Sequence, residues 1–264
     1  MPDNPTEETV EINWVYTPAD FFEEPILWAS RGCTIEIEGG RVIARMSAVL
    51  FDATPGLQFL IRQDFGAYFL GAQLNRLKVF EIHGGAVSRL WPDGRRDTTV
   101  AVRCLDVVML SDQVDLVQMD STGRIVGDTR RDRIEATIKL AQLSVRHASD
   151  STVRRMLEIF DAATRYPGNE LVYLYEVWDA LQTRFQRNRR IMEALGISRR
   201  DRSRLTTLAN TEPLNQGRHR GQFDALRDAT TDELAEARRI AKKMIEKFLL
   251  YLDNRILASP RTPE

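Results

Sequence analysis

The segment TIEIEGGRVIARM, residues 34–46, decides the fold of the first half of the chain. Apolar and polar residues alternate on both sides of a Gly-Gly pair, and this period of two predicts a β-hairpin with one buried face. A helix capped by Thr54 and begun by Pro55 is predicted next. Further strands are predicted after it, at 78–82, 86–91, 98–110, 114–119 and 124–126, with turns at His83-Gly84-Gly85 and Pro92-Asp93-Gly94.

The apolar period changes from two to 3.6 residues after position 128, which predicts helices. Helix starts are predicted at five places: Asp128, Ser149 or Asp150, Asn169, Ser198 and Thr230. The fold class predicted is α+β, with an N-terminal antiparallel β-rich domain that packs one helix, followed by an all-α bundle of four or five helices. We place the β-rich domain at 1–127, a connecting helix at 128–148 and the bundle at 149–264.

The net charge of -1 over 264 residues conceals an asymmetry. Residues 1–144 have a net charge of -6 and residues 145–264 a net charge of +5. The segment 184–220 contains ten arginines and three acidic residues, a density that attracts polyanions or simply forms a solvated helical face. Phe185 is its only aromatic residue, whereas a stacking platform for nucleic acid needs more.

Several classes of protein are disfavoured by what the sequence lacks. It has no phosphate-binding glycine loop, no dinucleotide fingerprint and no nucleophile elbow. Three histidines and two cysteines, Cys33 and Cys104, are too scattered for a metal site, so we expect neither a metal nor a cofactor. The acidic, polar N-terminus and the absence of a long apolar window favour a cytoplasmic protein without a membrane partner.

The segment GRHRG, residues 217–221, is the strongest candidate site. Two glycines allow the backbone to approach a ligand closely, and two guanidinium groups flank an imidazole that titrates near neutral pH. Such donors suit phosphate oxygens, so RNA or a nucleotide is the predicted ligand. In this hypothesis His219 is a general acid or base, Arg218 or Arg220 stabilises the phosphorane, and Asn210, Asn215 and Gln216 add hydrogen bonds.

A different interpretation remains open for the same segment. Arg218 and Arg220 could clamp acidic residues on the long helix, for which the sequence offers Glu170, Glu176 and Asp179. His219 would then be a packing or capping group. The protein would be a non-catalytic interaction or scaffold protein in which the loop braces the bundle.

The layout of the second half resembles the HEPN superfamily. The features that carry the resemblance are NELVYLYEV at 169–177, Asn210, GRHRG and a long closing helix. They are similar to the bundles that follow β-rich domains in bacterial abortive-infection proteins. DGRR at 93–96, with the Asn-Glu-Leu and GRHRG segments, also resembles a widespread group of uncharacterised bacterial proteins. The HEPN-like part covers about residues 150–257.

The resemblance implies a homodimer through the bundle and binding of RNA or a nucleotide. Many members of the family are metal-independent endoribonucleases that act in phage defence or stress response, so the resemblance also implies this activity. Active members carry an arginine four to six residues before the histidine. Positions 213–215 of this chain hold Pro213, Leu214 and Asn215 instead. Arg218 and His219, which are adjacent, are therefore the catalytic candidates that carry over from the family.

Overall fold

The structure, a computed structural model, describes residues 7–99, 115–119, 122 and 124–258. Most of the strand predicted at 98–110, together with Cys104, lies outside these residues. The strands that are described comprise β1 Thr9–Thr17, β2 Ile26–Ser30, β3 Cys33–Glu38, β4 Arg41–Ser47, β5 Glu81–Leu90, β6 Arg96–Thr99, β7 Val117–Met119 and β8 Ile125–Asp128. The helices comprise α1 Ala48–Ala53, α2 Leu57–Arg76, α3 Thr129–Arg146, α4 Ser151–Arg165, α5 Glu170–Phe185, α6 Asn188–Leu195, α7 Arg199–Thr206 and α8 Thr231–Ala258.

The predicted hairpin is present as β3 and β4, in a six-stranded antiparallel sheet with the order β2-β3-β4-β1-β5-β6. Alternate side chains of its central strands are buried, as the period of two predicts: Val10, Ile12, Trp14 and Tyr16 in β1, Cys33, Ile35 and Ile37 in β3, and Val42, Ala44 and Met46 in β4. Trp14 meets Phe65 of α2 edge to face, with ring centroids 4.8 Å apart. The α+β class, with one helix packed on an antiparallel sheet, is therefore confirmed.

The turn predicted at His83-Gly84-Gly85 is wrong. Residues 81–90 form one continuous strand, and its pairing with β1 shifts between Asn13 and Trp14, which leaves Gly85 as an extra residue in a β-bulge. Gly84 and Gly85 have φ values of 87° and 120°, a region that favours glycine. A Gly-Gly pair supplies the same backbone freedom to a bulge as to a turn, so the sequence alone does not distinguish them.

The start of the first long helix also differs from the prediction. Ser47 caps the short helix α1 by accepting a hydrogen bond from the Leu50 amide at 3.2 Å. Thr54 stands at the C-terminal cap of that helix, and α2 begins only at Leu57. The turn between the two helices uses Gly56, whose φ is 78°. The chain therefore breaks at the point where the sequence predicts a helix start.

The helical half follows its predicted caps closely. Asp128, Asp150 and Ser198 each accept hydrogen bonds from backbone amides at the start of α3, α4 and α7. Thr230 and Glu233 bond each other's backbone amides at 3.2 and 2.9 Å, which is the capping box predicted for α8. In this half the sequence analysis missed the short helix α6, with its left-handed C-terminal Gly196, and in the β-rich half it missed β1, β2 and α1.

The core of the helical half lies between α4, α5 and α8. Its fully buried side chains include Val153, Met156 and Phe160 of α4, Leu174, Trp178 and Leu181 of α5, and Ile245, Phe248 and Leu249 of α8. The apolar faces of α5 and α8 therefore point inward. Val177 of α5 is likewise fully buried within the chain.

The chain forms two compact units, with 1–66 and 80–134 in the first and 67–79 and 135–264 in the second. Helix α2 thus begins in the first unit and ends in the second, and α3 likewise runs from the first into the second. Among the described residues no helix is long and apolar enough to cross a membrane. Cys33 is a free, buried thiol, and burial raises its pKa.

Candidate functional site

The candidate loop, Gly217–Gly221, is held by a backbone hydrogen bond to the helical turn that precedes it in the chain. A π-helical turn at Thr207–Thr211 continues α7, and its Ala209 carbonyl accepts from the Arg218 amide at 2.7 Å. Gly217 is buried, and a Cβ at this position would lie 3.2 Å from the carbonyl oxygen of Ala209. A larger residue would push the loop away from the π turn. Close packing against this turn therefore explains why position 217 is a glycine.

Arg218 contacts the long helix α5 rather than open solvent. Its Nη1 lies 3.1 Å from a carboxylate oxygen of Asp179, one of the three partners that the sequence offered for a brace. Its guanidinium carbon also lies 4.8 Å from the ring centroid of Tyr175, one turn earlier on the same helix. About one third of the side chain remains exposed. Arg218 therefore joins the loop to the middle of α5.

Arg220 fixes the loop to the turn that precedes α5. Its Nε donates to the Gly217 carbonyl at 2.9 Å, which closes the loop on itself. Its Nη2 donates to the Gly168 carbonyl at 2.9 Å and to the Asn169 side-chain oxygen at 2.5 Å. All three acceptors are neutral oxygens, so no carboxylate of the described residues offsets the charge of this guanidinium.

His219 is exposed between these two anchored arginines. No hydrogen bond to its imidazole is found from any residue that the structure describes. The ring therefore differs from its neighbours: the arginines are used in holding the loop, whereas the imidazole is open to solvent. Of the two predicted catalytic residues, Arg218 bonds Asp179 and lies against Tyr175, whereas the His219 imidazole has no hydrogen bond from the described residues.

The three neutral residues predicted as ligand contacts lie against the protein. Asn215 and Gln216 both donate to Asp228, at 2.8 and 3.3 Å, and the Gln216 oxygen accepts from the Ala229 amide at 2.9 Å. The side-chain oxygen of Asn210 is buried, and within the described part of the chain it has no hydrogen-bond partner. Asn215 and Gln216 therefore hold the segment that leads into α8.

Glu170, which the sequence offered as a partner of Arg218 or Arg220, is bound by Arg238 instead. Glu170 is buried at the first position of α5 and accepts a bidentate pair of hydrogen bonds from Arg238 of α8. The third carboxylate offered for a brace, Glu176, has no contact with the loop among the described residues. Of the three expected partners, Asp179 is therefore the one that Arg218 uses.

Helices α6 and α7 carry a second group of cations, which we call the α6–α7 arginines: Arg187, Arg190, Arg199 and Arg200. All four are exposed, and none has a carboxylate partner among the described residues. Arg189 by contrast pairs with Glu193 at 2.7 Å, and Arg204 with Glu236 at 2.7 Å. The positive charge of this surface is therefore only partly neutralised.

The carboxylate nearest in sequence to two of these arginines is bound elsewhere. Asp201, at the start of α7, accepts from Lys243 at 2.7 Å and from Arg239 at 3.4 Å, both on α8. The hydrogen bond from Lys243, followed by the bond from Ser198, lowers the pKa of this carboxyl. Because α8 supplies the partners of Asp201, Arg199 and Arg200 are left with their charge facing solvent.

No group of three or more His, Cys, Asp or Glu side chains that could hold a metal ion is present among the described residues. Comparisons with family models, curated proteins and solved structures find no match to this chain.

Proposed function

We propose that the second compact unit, residues 67–79 and 135–264, which we call the helical unit, binds RNA through the α6–α7 arginines. The observation that carries the proposal is that four exposed guanidinium groups, three on two consecutive helices and one at the residue before α6, have no carboxylate partner in the described chain. Guanidinium groups bind phosphate oxygens in a bidentate geometry, and several of them together favour a polyanion over a single small anion. The resemblance to HEPN bundles of bacterial abortive-infection proteins supports RNA as that polyanion, with phage defence as the setting.

The charge of neighbouring helices supports this choice of surface. Residues 187–206 contain seven arginines and two acidic residues, Glu193 and Asp201, and both acids are already paired. Helix α4 has three arginines and two acidic residues over a similar length. A nucleic acid that approaches the helical unit therefore meets a stronger positive field at α6 and α7 than at α4.

In this proposal Arg218 and Arg220 support the surface instead of binding phosphate. Their hydrogen bonds to Asp179, Gly168 and Asn169 support the role of a structural brace. His219, which is exposed and has no partner in the described chain, is the loop residue placed to contact RNA. Metal-independent cleavage is a second candidate function, favoured by that open imidazole beside the Arg218 guanidinium.

A homodimer through the helical unit is also proposed. Tyr166 is 56 % exposed at the end of α4, and its ring centroid lies 6.1 Å from that of the half-buried Tyr173 on α5. Exposed aromatic pairs of this kind are frequent at interfaces between proteins. Light scattering measures the molar mass in solution, for which we expect the value of a dimer. Tyr166→Ser is expected to shift this mass towards that of the monomer.

The experiment that tests RNA binding compares two double variants. Arg199→Gln/Arg200→Gln removes two α6–α7 arginines, and Arg154→Gln/Arg155→Gln removes two adjacent exposed arginines from α4. Binding of a labelled single-stranded RNA is followed by fluorescence anisotropy at several salt concentrations. If Arg199 and Arg200 each contact one phosphate, the slope of log K against log salt falls in magnitude by about 1.4. The α4 variant is expected to retain the wild-type slope.

Absence of salt-dependent binding by the wild type would refute the proposal, and equal losses in the two variants would place the site elsewhere. The same samples, kept in EDTA, report on cleavage. RNA that is cut by the wild type and intact with His219→Ala would establish a metal-independent ribonuclease. RNA that stays intact throughout would leave binding as the function.

A further inference from the structure

An open concavity of about 700 Å³ lies at the C-terminal end of α5. Its lining includes two arginines, two aromatic rings, an amide and a carboxylate: Arg184, Phe185, Gln186, Arg190, Glu193 and Tyr251. The volume falls within the range of about 300–1,000 Å³ typical of small-molecule sites. We call it the α5–α8 concavity, because α5 ends in it and Tyr251 comes from α8.

Its apolar side is a preformed pair of aromatic rings. The centroids of Phe185 and Tyr251 are 5.6 Å apart, with an angle of 58° between the rings. Both rings also pack on the fully buried Phe248, which Tyr251 stacks upon at 6.2 Å and 20°. Phe185 and Tyr251 are only half-buried, and the exposed Arg255 side chain lies over the Tyr251 ring, with its guanidinium carbon 5.6 Å from the ring centroid. A planar ring could stack on Phe185, or on Tyr251 in place of Arg255, without rearrangement of the core.

The rim of the concavity is mainly cationic. Arg190 is exposed and is one of the α6–α7 arginines, which have no carboxylate partner in the described chain. Arg184 is 43 % exposed, and its contact with Asp150 is long, at 3.3 Å. Glu193 is the one acid in the lining, and Arg189 outside the concavity donates to it at 2.7 Å. The rim therefore offers two guanidinium groups to an anion beside the aromatic rings.

We propose that the α5–α8 concavity binds a nucleotide, with the base against Phe185 and Tyr251 and the phosphate against Arg190 and Arg184. A free inorganic anion would leave the two rings unused, and a purely apolar ligand would leave the arginines unused. A nucleotide uses both. Gln186 and Glu193 add a donor and an acceptor for the edge of the base.

The ligand has two sources with the same chemistry, a nucleotide residue within RNA or a free mononucleotide. The inference rests on the proposed function for the first source, because Arg190 belongs to the surface proposed to bind RNA. The α6–α7 arginines contact phosphates only. A base bound in the concavity would add a contact that depends on the base. The two contributions can therefore be separated with a probe that has phosphates and no bases.

The test compares a single-stranded RNA with an abasic oligonucleotide of the same length and charge, on the full-length chain. Stacking of one base changes affinity by roughly five- to a hundred-fold, so the wild type is expected to prefer the RNA by at least about five-fold. Tyr251→Leu keeps apolar volume and removes the ring. It is expected to abolish that preference while binding to the abasic oligonucleotide stays unchanged. Thermal melting checks that this variant is folded.

Titration calorimetry with AMP distinguishes the sources, and Arg190→Gln is the second variant. Position 190 is exposed, so this substitution is expected to leave folding intact, and because Arg190 faces the phosphate it is expected to weaken RNA or AMP binding at least about five-fold. Base-dependent RNA binding without AMP binding assigns the site to a residue of RNA. AMP binding without RNA binding keeps this inference and refutes the proposed function.

Other outcomes overturn the inference itself. Equal affinity of the wild type for RNA and the abasic oligonucleotide, with no AMP binding, would refute the nucleotide site while the proposed function stands. A folded Tyr251→Leu variant that keeps the preference would do the same. Should that variant not fold, unchanged RNA and AMP binding by Arg190→Gln would overturn the inference. Failure of every probe to bind would refute both proposals.

Discussion

The three central residues of Gly217–Gly221 are expected to differ in their effect on stability, although they are adjacent in sequence. Arg220→Ala removes donors from the Gly217 carbonyl, the Gly168 carbonyl and Asn169. Arg218→Ala removes the contacts with Asp179 and Tyr175. His219→Ala removes an exposed ring without a partner in the described chain. The perturbation is thus one substitution, to alanine, at three consecutive positions.

The magnitudes follow from these contacts. The bonds of Arg220 come from a charged donor and are partly exposed, so their net contribution is about 2 kcal/mol. An exposed ion pair and an exposed cation–π contact together give Arg218 about 1 kcal/mol. An exposed side chain without contacts changes stability by less than about 0.5 kcal/mol. With about 2–4 °C per kcal/mol for a chain of this size, Arg220→Ala is expected to lower Tm by about 4–8 °C.

Thermal melting followed by circular dichroism at 222 nm, at low salt and at 1 M NaCl, measures all three variants. The order expected is Arg220→Ala, then Arg218→Ala, then His219→Ala. The effect of Arg218→Ala is expected to shrink in high salt, because the pair with Asp179 is partly exposed and is screened. An unchanged Tm for Arg220→Ala, or a loss for His219→Ala as large as for Arg220→Ala, would refute the brace.

Three further substitutions test the fold and its charges. Arg227 lowers the pKa of Glu233 to about 2 from 4.5 by hydrogen bonding. The stabilisation is therefore complete above about pH 4.5 and lost as the pH falls towards 2, so the difference in Tm between Glu233→Gln and the wild type is expected to vanish over that interval. Gly85→Ala is expected to cost about 2 kcal/mol in urea unfolding, because its φ is 120° and the new Cβ would lie 2.6 Å from a side-chain nitrogen. Gly221→Ala, where a Cβ meets nothing within 4 Å, is the matched control and is expected to change little. Gly71→Ala would place a Cβ 2.8 Å from the backbone of α3 and is expected to cost about 1–3 kcal/mol by the same measurement.

The elements that the sequence predicts well are those with a local cause. The hairpin at 34–46 needs only the alternation of its own residues and the Gly-Gly turn. The caps at Asp150, Ser198 and Thr230 need only side chains within three residues of the amides they accept from. Each of these signals is complete within one short segment of chain.

The features that the sequence does not predict depend on contacts between distant segments. The bulge at Gly85 exists because β5 continues past it along β1, and that pairing joins residues about seventy positions apart. Helix α6 has eight residues and two turns of apolar pattern, too few to stand out from the arginine-rich segment around it. In both cases the local pattern permits two structures and tertiary pairing selects one.

The candidate site shows the same division. Adjacent cations in GRHRG predict a phosphate loop as readily as a brace, and only the position of Asp179 on α5 determines what Arg218 contacts. The sequence analysis did offer Asp179 as a partner, because the segment predicted as the long helix contains three carboxylates. It had no signal for Gly168 and Asn169, whose acceptors are a backbone carbonyl and an amide that any turn can present.

The aromatic pair of the α5–α8 concavity, which we propose stacks on a base, is a feature that composition alone does not reveal. Phe185 is the only aromatic residue between 184 and 220, and the sequence analysis therefore found no stacking platform in the basic segment. The second ring, Tyr251, is 66 positions later in the chain, on the helix that closes the core. It follows Phe248 by three residues, which places it beside that buried ring on the same side of α8. Packing of α8 on α5 then brings it within 5.6 Å of Phe185. A basic segment should therefore be searched for stacking partners on every helix that packs against it, because the core determines which rings lie at its surface.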